Sequence, residues 1–450
     1  MLKKPNWTIR SEATLPDHVD PVEQRFQQLK AAIHQQLVES LDLSRVGQDD
    51  RDRMLPQIRQ LAERVTRSRK AALSKFDRER LMEELMSEIF GLGPLDVLMD
   101  DDTVTDILVN DAYTVYVERG GQLELTDVMF ADEDHLLRII QRITARLGRR
   151  IDEVSPMVDA RLPDGSRVNA VIPPLAIDGP SMSIRRFGAK PLEMDDLLGG
   201  SSLLPEMAEF LQAVVEARIG MLVSGGTGAG KTTLLNALSA AIPHYERLVT
   251  IEDSAELILQ HRHRVRMETR PANTEGRGEY TQRDLVRNAL RMRPDRIIVG
   301  EVRGAEVWDM LQAMNTGHEG SLTTIHANSS PDALARLEMM CAMTGFDLPV
   351  GVVRQYIASG IQIVVHAARL KGGARRIMRI TEVTGVEDGT YCLQDLFGFR
   401  QTSVDQEGRA IGHFYCTGAV PKCLEQIAAN GVSLPEGMFA ERKMEATYGA

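Results

Sequence analysis

The residues best suited to chemistry form a glycine-rich run at 225–232, Gly-Gly-Thr-Gly-Ala-Gly-Lys-Thr. The run matches the pattern GxxxxGK[ST] in full, with an apolar strand-like run before it and a helical run after it. Glycines let the backbone curl so that its N–H groups face phosphate oxygens, and the start of the next helix favours an anion. Lys231 is expected to reach the β- and γ-phosphates, and Thr232 to ligate Mg²⁺. We therefore predict a site for ATP and Mg²⁺, with the nucleotide-binding residues Gly225, Gly226, Thr227, Gly228, Ala229, Gly230, Lys231, Thr232 and Thr233.

Two carboxylates that follow apolar strand-like runs could complete a hydrolytic site. Glu301 comes after the run at 297–299, and the ends of parallel strands open onto the ligand crevice of an α/β sheet. We expect Glu301 to orient and polarise the attacking water. Position 300, where many phosphate-loop enzymes keep a magnesium-binding aspartate, is glycine. Glu252, at the end of an earlier apolar run, is the expected second acid and shares Mg²⁺ with Thr232. Strand-end acids are often helix caps, which is the alternative for this stretch.

Histidines and arginines supply groups that could respond to the γ-phosphate. His318 and His326 lie in a Gly/Thr-rich segment, and we expect both to sense the γ-phosphate. A metal site is the alternative, but no third ligand stands nearby at a fixed spacing. Arg185 and Arg186 lie beside a linker, so either could reach the developing negative charge when domains close. Arg291 precedes the third apolar run and is a further catalytic candidate.

The composition is that of a globular protein with more than one domain. The chain has 450 residues, 43% of them hydrophobic and 26% charged, which exceeds one ordinary core. A formal net charge of −11 argues against a nucleic-acid coat. The four cysteines include no CxxC pair, so no zinc site is predicted and a reducing compartment is favoured. No apolar run follows the basic N-terminus, and none approaches ~20 residues. The expected location is cytoplasmic, peripheral to the membrane.

The elements that must position these residues fall into segments with different periodicities. Helical stripes predict a small bundle; they are formed by Phe26, Leu29, Ile33, Leu37 and Leu41, by Ile58, Leu61 and Val65, and by Leu81, Leu85 and Ile89. Two hairpin signals, at Gly120-Gly121 and Asp164-Gly165, predict a small α+β domain after the bundle. Short apolar runs separated by helical stretches then predict a parallel α/β sheet. The predicted order is a flexible arm at 1–20, the bundle at 21–94, the α+β domain at 95–187, a linker at 188–200, the α/β domain at 201–385 and a C-terminal extension at 386–450.

Together these residues resemble the secretion (traffic) ATPases, which power type II secretion, type IV secretion and type IV pili. The resemblance rests on the phosphate loop, an Asp box at 251–253, the stretch 291–295, an atypical Walker B strand ending at 300–304, and a His box within 316–328. The helical bundle and the tail make the chain most similar to the CpaF/TadA branch, the assembly ATPases of tight-adherence (Tad) pili. The tail features are 393–397, 417–418 and 421–422. The four-cysteine zinc module of the type II relatives is absent from the sequence.

The resemblance implies an α/β RecA-like P-loop ATPase domain, preceded by a small PAS-like α+β domain and a helical bundle. It also implies a ring, usually a homo-hexamer, with ATP bound between the α+β and RecA-like domains. Such a ring offers arginines from a neighbouring subunit, which suits the arginine prediction. The implied partners are inner-membrane platform proteins and, in the Tad branch, a MinD-like localisation ATPase. No nucleic-acid partner is expected.

Two other functions are compatible with a phosphate loop. A RecA-type nucleic-acid motor would need a basic channel with aromatic side chains, whereas the chain is acidic and only 5% aromatic. A scaffold that binds ATP with little turnover would not need Glu252, Glu301 and two histidines. The prediction is therefore an ATP-hydrolysing motor for pilus assembly or a related secretion process.

Overall fold

The computed structural model describes residues 26, 29, 30, 33, 36, 51–69, 73–186, 192–270, 272, 277–345 and 348–444. The chain divides into two compact units, residues 1–187 and 188–450. The predicted arm at 1–20 lies outside the described residues, as do Leu37 and Leu41 of the first helical stripe. Within the described part, no helix is both long enough and apolar enough to cross a membrane.

The first unit begins with a small helical core. Its described helices are α1 (Arg51–Ser68) and α2 (Lys75–Phe90). A capping box starts α2, because the Ser74 hydroxyl accepts from the Asp77 N–H at 3.0 Å and the Asp77 carboxylate accepts from the Ser74 N–H at 3.2 Å. The apolar positions of the three stripes face one another, and the buried ones include Phe26, Leu29, Ile33, Ile58, Val65, Leu81, Leu85 and Ile89.

The rest of the first unit is an antiparallel sheet covered by one long helix. Its strands lie in the order β3-β2-β1-β6-β5-β4. Both predicted hairpins are present, as β2–β3 and β4–β5. The strands are β1 (Val104–Asp111), β2 (Thr114–Arg119), β3 (Gln122–Leu125), β4 (Met157–Arg161), β5 (Arg167–Val171) and β6 (Ser181–Arg185), and the helices are α3 (Asp96–Met99) and α4 (Glu133–Arg146). Asp132 caps α4 by accepting from the His135 N–H at 2.6 Å, and Ile139, Ile140 and Ile143 are buried in the domain core.

The second unit is built on a ten-stranded sheet in the order β16-β15-β14-β13-β12-β7-β11-β10-β8-β9. Strands β12, β7, β11, β10, β8 and β9 run parallel, while β13 to β16 continue the sheet antiparallel. Their bounds are β7 (Met221–Gly225), β8 (Leu248–Glu252), β9 (Arg264–Glu268), β10 (Arg296–Val299), β11 (Leu322–Ile325), β12 (Ile363–Arg369), β13 (Arg375–Glu387), β14 (Thr390–Val404), β15 (Ala410–Cys416) and β16 (Arg442–Met444).

Helices cover both faces of this sheet, as expected for strands that are apolar on both sides. One core contains Phe210 and Leu234, and the other contains Leu311, Leu337 and Ile357. The helices are α5 (Met194–Gly199), α6 (Pro205–Glu216), α7 (Lys231–Leu238), α8 (Gln282–Ala289), α9 (Glu306–Met314), α10 (Ser330–Ala342), α11 (Val350–Gly360) and α12 (Leu424–Ala429). The chain therefore has the predicted α/β fold with a separate N-terminal α+β region.

The structure corrects two predicted segment boundaries. The linker predicted at 188–200 contains helix α5, whose Leu197 and Leu198 pack against the core of the second unit. The C-terminal extension predicted to start at 386 is not separate, because that position lies inside β13. Strands β14 to β16 complete the same sheet, and the fully buried Phe397 lies 6.0 Å from Phe210 between ring centroids.

Polar contacts hold the tail onto this sheet. The buried Glu382 carboxylate of β13 accepts from the backbone N–H groups of Lys422 at 2.9 Å and Cys423 at 2.8 Å. The Thr417 hydroxyl donates to the Asp395 carbonyl at 2.6 Å. These hydrogen bonds attach the tail features at 417 and 422 to strands β13 and β14.

Candidate active site

The phosphate loop connects the central strand β7 to helix α7. Gly230 caps the helix with a φ of 93°, a left-handed conformation that favours glycine. At position 225 the constraint is space, because a Cβ atom there would lie 2.3 Å from the Ala367 carbonyl oxygen of β12. The backbone of β12 thus approaches the start of the loop closely, and only glycine fits.

The Lys231 ammonium points back into the loop. It donates to the carbonyls of Gly225 at 3.1 Å and Gly226 at 3.0 Å, and it lies 3.5 Å from Nδ1 of His326. Burial lowers the pKa of Lys231, and the nearby Glu301 carboxylate opposes that shift. An anion placed in the loop would offer this ammonium a stronger acceptor than the two carbonyls.

Glu301 and His326 meet at the ends of neighbouring strands. Strands β10 and β11 are parallel neighbours, and the two residues follow them, so Nε2 of His326 lies 2.9 Å from Oε1 of Glu301. Burial and then the Lys231 charge lower the pKa of His326, which favours the neutral ring. The neutral ring can accept from the Lys231 ammonium at Nδ1. Arg303 donates to the other oxygen of Glu301 at 3.1 Å.

Glu252 is buried at the end of β8 and explains the glycine at position 300. Its Oε1 accepts from the backbone N–H groups of Glu256 and Leu257, each at 2.8 Å. A Cβ atom on Gly300 would lie 2.8 Å from Cγ of Glu252. The side chain of Glu252 therefore occupies the space that a side chain at 300 would need. Burial raises the pKa of Glu252 to about 7, against the two N–H bonds that lower it.

The donor set is compatible with a magnesium ion. Oε2 of Glu252 is buried and has no hydrogen-bond partner among the residues the structure describes. Thr232, the second residue of α7, is half-buried and directly follows Lys231. The described ranges contain no cluster of three His, Cys, Asp or Glu side chains that could hold a metal. Mg²⁺ commonly binds through one or two protein oxygens together with phosphates and water, so these two residues suffice.

The two histidines of the predicted sensor lie at opposite ends of β11. His326 follows the strand and contacts Lys231 and Glu301. His318 precedes it, and the neighbouring Gly320 packs against Arg218, before the start of β7. Strand rise separates these two edges of the sheet by roughly 13 Å. The structure therefore does not bring His318 to the phosphate loop of its own chain, and its predicted role in sensing the γ-phosphate stays a prediction.

Each predicted arginine makes contacts within its own unit. Arg185, at the end of β6, forms an ion pair with Asp106 at 3.1 Å and is about half exposed. Arg186 donates to the carbonyls of Asp101 and, at 3.0 Å, Val104. Arg291 follows α8 and donates to the Arg287 carbonyl at 2.8 Å, at the entry to β10 rather than its exit. Arg291 therefore lies on the opposite sheet edge from Glu301. The roles of all three arginines as phosphate contacts stay predictions.

Three further contacts near the loop were not predicted from the sequence. Arg303 pairs with Glu301 and lies 3.7 Å from Asp253. The Ser224 hydroxyl, directly before the loop, lies 3.0 Å from Nδ1 of His366 on β12. Nε of Arg375 on β13 donates to the Gly228 carbonyl at 2.9 Å. Arg303 could have been found, since it stands two residues after Glu301, but β12 and β13 join the loop only through the sheet order.

A central parallel sheet, a glycine loop leading into a helix, and an acid at the end of a neighbouring strand define a P-loop ATPase with a RecA-like sheet. Residues 88–404 match the family described as Type II/IV secretion system protein. Residues 26–90 match the N-terminal domain of Type II secretion system protein E. The chain belongs to the Type II/IV secretion system protein family, so the predicted membership of the secretion ATPases is confirmed.

The regions that match this chain span most of the length of two relatives. A putative conjugal transfer protein of Mycobacterium tuberculosis is 42% identical over 309 residues, which are 67% of this chain and 87% of the relative. Type IV secretion system protein PtlH of Bordetella pertussis is 38% identical over 316 residues, 64% of this chain and 92% of the relative. Among solved structures, the VirB11 ATPase of the Brucella suis type IV secretion system matches at 30% identity with a TM-score of 0.34, covering 64% of this chain and 95% of that one.

Proposed function

We propose that this chain hydrolyses ATP in a Mg²⁺-dependent reaction and drives pilus assembly of the Tad type, or a closely related secretion process. The proposal rests on the chain of contacts from Lys231 through His326 to Glu301 at the ends of neighbouring strands. These groups supply a cation for phosphate, a neutral imidazole and a carboxylate that can hold water. The tail features of the sequence and the relatives named for conjugal transfer and type IV secretion support the secretion role.

In the proposed mechanism, Lys231 exchanges the loop carbonyls for the β- and γ-phosphates. That move takes the ammonium away from His326, whose neutral ring is then held only by Glu301. Glu301 accepts a hydrogen bond from the attacking water and orients it toward the γ-phosphate. Thr232 and Glu252 would hold Mg²⁺, which neutralises charge on the phosphates. Arg185, Arg186, Arg291 and His318 are proposed to act on the phosphate of a neighbouring subunit, where a ring can present them.

The proposed assembly is a homo-hexamer at the cytoplasmic face of the inner membrane. Its proposed partners are inner-membrane platform proteins and a MinD-like localisation ATPase, with no nucleic acid. Analytical ultracentrifugation with Mg-ATP tests the assembly, and a monomer at all concentrations would contradict it. Stimulation of hydrolysis by single-stranded DNA would instead favour a nucleic-acid motor.

The proposed activity is tested by phosphate release from the purified full-length chain. We expect the wild type to release phosphate with Mg-ATP and to stop when EDTA removes the metal. Lys231→Ala and Glu301→Gln should each lower kcat by at least ~100-fold, since the first removes a phosphate contact and the second a water-orienting group. Lys75→Ala, a change at an exposed lysine of α2, is the matched control and should leave the rate unchanged. Full activity in either site variant contradicts the mechanism.

A further inference from the structure

Two arginines on one hairpin lie against the phosphate loop. Strands β12 and β13 are joined by a short turn, and Arg369 and Arg375 face each other across the hairpin. Nε of Arg375 donates to the Gly228 carbonyl at 2.9 Å. A Cβ atom built on Gly230 would lie 3.6 Å from Cδ of Arg375, and one built on Gly228 would lie 3.6 Å from Nη1 of Arg369. Both side chains therefore lie directly against the tip of the loop.

The hydrogen bond from Arg375 restricts the orientation of one peptide group in the loop. The Gly228 carbonyl and the Ala229 N–H belong to one planar trans peptide, so they point in opposite directions. Arg375 holds the carbonyl of this peptide, and the N–H of Ala229 donates to the Gly226 carbonyl at 3.3 Å within the loop, an acceptor that a phosphate oxygen could replace. A charged donor on the carbonyl also polarises the peptide and makes its N–H a better donor.

We propose that Arg375 is a positioning residue of the nucleotide site, which fixes the Gly228–Ala229 peptide so that its N–H can bind the α- and β-phosphates. Arg369 adds positive charge at the same tip. The proposal rests on the proposed ATPase function and names a part of the site outside the GxxxxGK[ST] pattern. Arg375 acts through the loop backbone rather than on the γ-phosphate, so it contributes equally to ATP and ADP.

The neighbouring Arg376 supplies an internal comparison. It is the same residue type on the same strand, but successive side chains of a strand point to opposite faces. Its guanidinium donates to the Gly200 carbonyl at 2.8 Å and to the Arg375 carbonyl at 3.1 Å. Loss of Arg376 removes the same charge from the same strand without removing the bond to the loop.

Isothermal titration of the full-length chain with Mg-ADP and Mg-ATP tests the proposal, alongside steady-state hydrolysis. For Arg375→Ala we expect the Kd of both nucleotides and the KM for ATP to rise about tenfold, the usual worth of one charge-assisted hydrogen bond. The kcat should stay within about twofold, because the lost contact is the same in ground and transition states. Arg375→Lys should recover part of the affinity, since an ammonium can also donate to the carbonyl. Arg376→Ala should leave both Kd values within about twofold of wild type.

Two results would overturn the proposal. The first is an unchanged Kd for ADP in Arg375→Ala, which together with weaker binding of ATP would place Arg375 on the γ-phosphate. The second is an equal loss of affinity in Arg376→Ala. A wild-type chain that binds nucleotide but releases no phosphate would contradict the ATPase function instead, while the ADP titrations would still decide the role of Arg375.

Discussion

Replacing Gly300 by alanine should destabilise the second unit, and the reason is the packing of one carboxylate. The new Cβ atom would lie 2.8 Å from Cγ and 3.3 Å from Oε1 of Glu252, closer than side chains pack. Gly300 does not have a left-handed backbone, so alanine carries no conformational penalty there. The whole cost must therefore come from displacing Glu252.

The size of the expected loss of stability follows from the two hydrogen bonds that Glu252 accepts. Its Oε1 accepts from two backbone N–H groups at 2.8 Å, and leaving buried donors unpaired costs about 1–3 kcal/mol each. Glycine-to-alanine changes return about 0.4–1 kcal/mol by restricting the unfolded chain. Partial displacement of Glu252 thus predicts a net loss of about 1–3 kcal/mol in the free energy of unfolding. For a domain of this size, that loss lowers the melting temperature by roughly 3–10 °C.

A double-mutant cycle measured by thermal unfolding checks this reasoning. Once Glu252→Ala has removed the obstacle, adding Gly300→Ala should be neutral or slightly stabilising, which gives a coupling free energy of at least ~1 kcal/mol. Gly351→Ala is the matched control, because a Cβ atom there meets nothing within 4 Å. An equal loss from Gly300→Ala with and without the Glu252 side chain would refute the proposed collision.

Further predictions concern His326, the buried acid and a buried ion pair. His326→Gln should lower the kcat of nucleotide hydrolysis about tenfold or more, because its ring contacts both Lys231 and Glu301, and an unchanged kcat would contradict the assignment. Burial raises the pKa of Glu252 to about 7 in the folded chain, above its ordinary value of 4.5. The free energy of unfolding without nucleotide should therefore fall as the pH rises from 4.5 to 7. Over that window the loss amounts to about 3 kcal/mol, and Glu252→Gln should abolish it in melting curves. Arg296 is fully buried and donates to both oxygens of Glu246, so Arg296→Met should cost about 3–5 kcal/mol in urea unfolding. Changing Glu246 to leucine in the same chain should restore part of that loss.

The parts of the site that lie close to strand ends could be predicted from the sequence. The phosphate loop carries its own pattern, and Glu301 and Glu252 each end an apolar run. Since parallel strands bring their carboxyl ends to one edge, the proximity of these acids follows from local signals alone. The collision between Glu252 and a side chain at 300 could not be foreseen, because it depends on the register of β8 and β10.

The separation of His318 from His326 could also be predicted from the sequence. The apolar stretch at 322–325 separates His318 from His326, and a strand between two residues puts them at opposite edges of a sheet. The contacts of His366 and Arg375 with the loop region are a different case. Strand β12 lies beside β7 although some 140 residues separate them in the chain, and no periodicity predicts that pairing.

The C-terminal extension predicted from 386 is a related case. Its sequence mixes strand-like and helical pieces, and antiparallel pairing places its strands in the same sheet as β7. What decides the fold here is a long-range set of contacts, including Glu382 to the tail and Phe397 to Phe210. Composition does not predict such long-range contacts, so it cannot place a domain boundary here.

The continuous sheet has a mechanical consequence. From β15 through β14, β13 and β12 to β7, each strand is hydrogen-bonded to the next, and β7 leads directly into the phosphate loop. The buried Glu382 carboxylate of β13 also accepts from the backbone N–H of Cys423, which attaches the segment after β15 to this series of strands. Close-packed interiors deform little and transmit strain. A load applied to the tail is therefore borne by the nucleotide-binding strand itself, so this part of the chain is a stiff lever arm rather than a flexible tether.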